Sequence, residues 1–272
     1  NMKHDIAKKP RFHPEDCLET PTSSSSIEKL DFKLDDAAKN TIAQAAKDFQ
    51  HWTQDRLMLD HLIFNDFGKD LCKSEKISPD AIMQLAFQLA QFKLEKRAVA
   101  TYESCSTSAF RHGRTETVRS CTNETTALCK AIVDSGSSKS NDAEYKKLIV
   151  AGSNAHNVLI KEAAMGQGFD RHLFALRNLA EKNGETVPEI FTDPAYAKIN
   201  HNILSTSTLS TPEIQVGGFG PVVPDGYGIA YMIQDHRLGS VITSYKEHRD
   251  VTDYVQQLKS AFDDIHRILR SK

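Results

Sequence analysis

Lys69 and Lys73 lie four residues apart in Gly68-Lys69-Asp70-Leu71-Cys72-Lys73-Ser74-Glu75-Lys76, a spacing that puts both on one face of a helical turn. Like charges so placed repel mildly unless an anion sits between them. A helix beginning at Ser78-Pro79-Asp80 would add backbone N–H donors and a positive dipole end. The run reads as a phosphate site, or as a solvated charged turn balanced by Asp70 and Glu75. Tyr102 and Ser104 are two apart, as are Ser205 and Ser207, so on strands each pair points one way. Each is a hydroxyl-lined ligand wall or an ordinary polar strand face. Arg171, in Gly168-Phe169-Asp170-Arg171-His172, carries a planar fork suited to a carboxylate, or to a surface ion pair. Gly217-Gly218-Phe219-Gly220 resembles a phosphate loop, but a strand should follow it rather than a helix, which argues against a dinucleotide.

Other chemistries lack their patterns. No Gly-x-Ser-x-Gly elbow supports a serine triad. Cysteines 17, 72, 105, 121 and 129 form no CxxC, and the eleven histidines form no HxxxH or HExxH, so no metal site is expected. The thiols read as reduced and mostly structural.

The elements that must position these residues follow from periodicity. Leu34, Ala38, Ile42, Ala45, Phe49 and Trp52 mark one face of a helix of about five turns. Residues 56–64 alternate as a strand, and 27–32 read as a shorter one. Ser78 caps a helix with Pro79 at its first position, buried through Ile82, Leu85, Leu89 and Phe92. Residues 98–102 and 202–209 read as strands. A helix opening near Asn141 carries Tyr145, Leu148, Gly152, Ala155 and Leu159 on one side, and Asn183-Gly184 ends the next. Pro224-Asp225-Gly226 signals a turn, predicting a hairpin between Val222-Val223 and 227–233. Val251, Tyr254, Leu258, Phe262, Ile265 and Leu269 mark a C-terminal helix. Long helices with interspersed strands predict an α/β layered domain with a mixed β-sheet flanked by helices.

The chain has 272 residues, with 34 basic and 36 acidic side chains. Near-zero net charge argues against a general nucleic-acid binder, which needs a basic surplus. No apolar run reaches the ~20 residues of a membrane span, and the first residues lack the apolar core of a secretory signal. The chain opens at Asn1, as a mature or cut chain would. Residues 1–26, broken by prolines and closed by Thr20-Pro21-Thr22-Ser23-Ser24-Ser25-Ser26, read as a flexible N-terminal segment or linker. The folded domain is expected over 27–272.

Read together, several strings resemble the carnitine/choline acyltransferase family. They are Phe67-Gly68-Lys69-Asp70 through Ser78-Pro79-Asp80-Ala81, Thr101-Tyr102-Glu103-Ser104, Gly113-Arg114-Thr115-Glu116-Thr117, Phe169-Asp170-Arg171-His172-Leu173, Ser205-Thr206-Ser207, and Phe219-Gly220-Pro221 with Asp225-Gly226-Tyr227-Gly228. Ala163-Ala164-Met165-Gly166-Gln167 and Asp193-Pro194-Ala195-Tyr196 are most similar to the long-chain members of the mitochondrial matrix. The resemblance implies a CoA-dependent acyltransferase-like fold and acyl transfer between coenzyme A and the carnitine hydroxyl. It implies CoA as substrate rather than a bound cofactor. It also implies a tunnel shared with an N-terminal half that carries a catalytic histidine in a His-x-x-x-Asp-Gly-type motif. That motif is absent here, so the chain resembles the C-terminal half and is expected to be inactive alone. Peripheral membrane association is compatible with the pattern.

Residue by residue, the resemblance assigns Lys69 and Lys73 to the CoA 3′-phosphate and Asp80 to its adenine end. It assigns Tyr102, Ser104, Thr115 and Arg171 to carnitine, with Arg171 on the carboxylate and Phe219 beside the trimethylammonium. Ser205 and Ser207 would support the oxyanion at the reacting centre, and Gly217 would line the acyl side. A non-catalytic acyl-CoA binding module and an interaction domain are the alternatives.

Overall fold

A computed structural model describes residues 28–208 and 217–271. The tail expected over 1–26, together with Ile27 and Leu209, lies outside the described residues. Contacts divide the chain into two units at Leu57.

In the first unit, residues 28–35 form no regular element, so no strand is seen over the described part of 27–32, and Leu30 and Phe32 are exposed. An extended segment becomes a strand only when a neighbour takes its backbone hydrogen bonds, and none pairs with it among the described residues. Helix α1 (Asp36–Gln50) follows, its Asp35 cap accepting the Ala38 N–H at 2.8 Å, and it continues into a π-helical turn at His51–Arg56. The helix occupies the span its periodicity predicts.

The second unit opens with β1 (Leu57–Phe64), α2 (Lys69–Ser74) and α3 (Pro79–Glu95). Next come β2 (Thr101–Ser106), β3 (Thr115–Val118), α4 (Asn123–Asp134), α5 (Asp142–Ala164), α6 (Asp170–Asn183) and α7 (Pro194–Asn200). The chain then forms β4 (Leu204–Thr208), β5 (Tyr227–Ile233), β6 (Leu238–Tyr245) and α8 (Val251–Arg270). The strands make one sheet in the order β1-β6-β5-β4-β2-β3. Strands β2, β4 and β5 run parallel, while β3, β6 and β1 pair antiparallel at the two sides. This is the expected mixed sheet flanked by helices.

Helix α3 is the axis of the core. Ser78 accepts the Ala81 N–H at 3.3 Å and Pro79 takes the first turn, as its sequence predicts. Every residue from Ala81 to Phe92 is buried. A surface helix buries only a stripe; α3 is covered by the sheet on one side and by α4, α5 and α8 on the others. Its three glutamines are therefore buried. Gln84 donates to Thr206 of β4 at 3.0 Å, and Gln88 to Thr101 of β2 at 2.8 Å.

Three expectations shift. The strand expected at 98–102 forms at Thr101–Ser106, because its partners β3 and β4 stand opposite those residues. The hairpin does not fold at Pro224. Val222 and Val223 are not in a strand; the 223–226 turn feeds β5, whose antiparallel partner is β6 across a turn at residues 234–237. On α5 the expected Tyr145 and Gly152 are buried and Leu148 and Leu159 pack against buried clusters, but Ile149, Ser153, His156 and Ala163 are buried too, and the sequence reading missed that histidine.

Candidate functional site

Pairing in parallel register sets Tyr102 beside Ser205 and Glu103 beside Thr206. Period-two alternation then sends Tyr102, Ser104, Ser205 and Ser207 to one face. Ser104 Oγ and Ser207 Oγ stand 3.3 Å apart. These residues, with Thr117, Arg171, Asn200, Asn202, Phe219 and Val222 among others, line a cavity of about 600 Å³.

Arg171 enters from the first turn of α6. Its Nε donates to the Thr115 carbonyl at 3.2 Å, and its Nη2 to Tyr102 Oη at 3.1 Å and Thr115 Oγ1 at 3.5 Å. Those acceptors are neutral oxygens, and no carboxylate pairs with this guanidinium among the described residues. Phe219 reaches the opposite side on the loop before β5. That loop lies flat because Gly228 has no side chain: a Cβ there would come within 2.4 Å of the Phe219 carbonyl oxygen. Thr243 Oγ1 donates to the same oxygen at 2.6 Å.

The structure thus gathers Tyr102, Ser104, Arg171, Ser205, Ser207 and Phe219 in one cavity, with Thr115 touching it through Arg171. Asn200, Asn202, Val222 and Val223, at a helix end and in loops, also line it, as does Thr117 of β3; the sequence offered no periodic signal for these positions.

The remaining expected residues sit elsewhere. Lys69 pairs with Asp235 at 2.5 Å in the β5–β6 turn, and this contact raises the lysine pKa and lowers that of the carboxylate. The first N–H groups of α2 are spent on that turn too, donating to the Gln234 and Asp235 carbonyls. Lys73 is exposed. Gly217 is exposed, keeps an ordinary φ, and a Cβ there would meet nothing within 4 Å.

Asp80 turns inward, accepting from Tyr231 Oη at 2.7 Å. Behind β2 its carboxylate joins a cluster absent from the sequence reading. Glu103 Oε2 lies 2.8 Å from His156 Nε2 and accepts from Ser120 Oγ. Ligand-capable atoms of Asp80, Glu103 and His156 lie within 4.8 Å of one another. Glu103 joins His156 of α5 to Ser120 and so braces β2, while His156 Nδ1 is buried without a partner among the described residues. Burial raises the Glu103 pKa, aided by the Asp80 charge and opposed by His156 and Ser120. Burial by itself would lower His156, but Glu103 more than reverses this and its pKa is raised. One signal for this pair was available. If Tyr102 and Ser104 face a ligand, Glu103 faces the core, and a buried carboxylate needs a partner.

Comparison with known proteins settles the family. A model described as Choline/Carnitine o-acyltransferase matches residues 2–260. The chain belongs to the choline/carnitine O-acyltransferase family. Carnitine O-palmitoyltransferase 2, mitochondrial, of Xenopus tropicalis is 46% identical over 98% of this chain. Peroxisomal carnitine O-octanoyltransferase of Bos taurus and carnitine O-acetyltransferase of Rattus norvegicus are each 36% identical over 89% of it. The chain spans about 40% of the length of the palmitoyltransferase relative. No helix among the described residues is long and apolar enough to cross a membrane.

Proposed function

We propose that the full-length protein moves long-chain acyl groups between coenzyme A and the carnitine hydroxyl, in mitochondria, and that this chain builds the carnitine-binding wall of its site. The observation that carries this is the cavity itself. It holds a guanidinium with neutral partners, a pair of serine hydroxyls and an aromatic ring in one space of about 600 Å³. Carnitine has a carboxylate, a reacting hydroxyl and a quaternary ammonium. An arginine fork fits the first, and an aromatic face the last.

In the reaction the carnitine oxygen attacks the thioester carbonyl. A C–O bond forms, the C–S bond breaks, and the hydroxyl proton passes through a base to the departing CoA thiolate. Ser205 and Ser207 supply preorganised donors for the oxyanion between those steps. The cavity-lining residues include no histidine; on the family pattern the base comes from the N-terminal half, the implied partner of this chain. Lys69 and Lys73 take the CoA 3′-phosphate, which displaces Asp235 from Lys69. For Asp80 the geometry supports a brace to Tyr231 rather than a CoA contact.

The test is steady-state kinetics of Arg171→Gln in the full-length protein. Loss of a charged hydrogen bond is worth roughly 1.5–3 kcal/mol, so the KM for carnitine should rise about tenfold or more while the KM for palmitoyl-CoA stays put. Parallel changes in both constants would overturn the carboxylate assignment.

A further inference from the structure

A second arginine close to Arg171 in the fold does not line the cavity. Arg119 follows β3 directly. Its Nε donates to Asp170 Oδ2 at 3.1 Å and its Nη2 donates to Asp170 Oδ1, a two-pronged pairing with the residue that opens α6. The same Nη2 donates to Asn200 Oδ1 at 2.8 Å, and Nη1 donates to the Ile199 carbonyl. The Phe169 ring lies 5.9 Å from its guanidinium carbon. Side-chain exposure is 21% for Arg119 and 13% for Asp170, so solvent screens the pair only in part. One guanidinium thereby joins the end of β3, the first residue of α6 and the last turn of α7.

These attachments bear on the cavity from two directions. Asp170 immediately precedes Arg171, and Asn200 is itself a lining residue. A second support comes from the same strand. Glu116, buried in β3, accepts the Arg171 backbone N–H at 3.3 Å. It fits there because residue 168 is glycine: a Cβ would come within 2.3 Å of the Glu116 side chain. The first turn of α6 is therefore held through Asp170 and through the Arg171 backbone. The Arg171 guanidinium keeps only neutral partners.

We propose that Arg119 is a positioning residue for the carboxylate clamp. It fixes the angle at which Arg171 crosses Tyr102 and Thr115, and it makes no contact with carnitine itself. The inference rests on the reading of Arg171 as that clamp. Lysine cannot replace Arg119, since a single ammonium cannot reach Asp170, Asn200 and the Ile199 carbonyl in one plane.

The experiment compares acyl acceptors in the full-length protein. Carnitine is set against choline, which keeps the trimethylammonium and hydroxyl but lacks the carboxylate. Arg119→Gln and Arg119→Lys should cut kcat/KM for carnitine by roughly tenfold or more, on the scale of one lost charged hydrogen bond. Choline use and the KM for acyl-CoA should change little, so the carnitine-to-choline preference collapses. Asp170→Asn, which keeps the side-chain shape, should lower the same preference, and combining it with Arg119→Gln should add little. Equal losses on both acceptors, or an unchanged preference in all variants, would overturn the proposal and leave the function standing. No carnitine-dependent transfer by the unmodified protein would overturn the functional reading, and this inference with it.

Discussion

Gly217 and the two lysines give the sharpest residue-scale tests. Gly217 has an ordinary φ and open space around its Cβ position, so the backbone does not demand glycine there. Gly217→Met should therefore fold. If the position borders the acyl path, the mutant should lose palmitoyl transfer and keep acetyl or butyryl transfer, with a large change because each buried methylene is worth about 0.8 kcal/mol. Equal loss at all chain lengths would remove Gly217 from the acyl path. Lys69→Ala and Lys73→Ala should raise the KM for acyl-CoA and spare that for carnitine. With 3′-dephospho-CoA thioesters the defect should nearly vanish; the same defect with both substrates would place the lysines outside the phosphate site. The Lys69–Asp235 pair is exposed, and pairs of that kind contribute little by themselves, so a phosphate can displace Asp235 readily.

At the scale of elements, the two faces of β2 do different work. One carries Tyr102 and Ser104 into the cavity, and the other carries Glu103 to His156 and Ser120. Removing one member of a buried pair costs roughly 3–5 kcal/mol, because the other charge stays buried alone. His156→Ala should lower the thermal unfolding midpoint clearly, and Glu103→Gln with His156→Gln should recover part of the loss; a neutral single mutant would contradict the brace. The first face was legible in the sequence, because period-two hydroxyl pairs survive without knowing the partner strand. Of the second only the inward direction of Glu103 was legible, because α5 was read from its apolar residues and His156 does not count as one. The Ser78-Pro79 start and the Gly184 end were legible because capping is local; Gly184 takes φ 69°. The misplaced hairpin at Pro224 shows the converse. A turn signal marks a turn but does not say which strands it joins, and β5 has its parallel neighbour β4 before it and β6 after it.

Across the molecule, the end of α3 is tied to the turn before β5 by Arg249, which donates to Glu95 and to the Asp225 carbonyl. Burial by itself would raise the Glu95 pKa, but Arg249, Gln91 and Arg97 hold it below the ordinary value. A carboxylate whose folded pKa is depressed stabilises the fold above its unfolded value, near 4.3, and loses that contribution as the pH falls through the lower folded value. Glu95→Gln should therefore flatten the acid limb of the unfolding profile below about pH 4.3, and an unchanged limb would remove this pair from the acid response. The cavity is lined by Tyr102 and Ser104 of β2, by Ser205 and Ser207 of β4, and by residues that lead into β4 and β5. Its lining holds a guanidinium, hydroxyls and an aromatic ring, and no histidine. The most direct measurement is carnitine-dependent release of CoA from palmitoyl-CoA, by the full-length protein and by this chain alone. The full-length protein should release CoA only when carnitine is added, and this chain should release none until the N-terminal half is supplied. Turnover by this chain alone, or release by the full-length protein that ignores carnitine, would contradict the account.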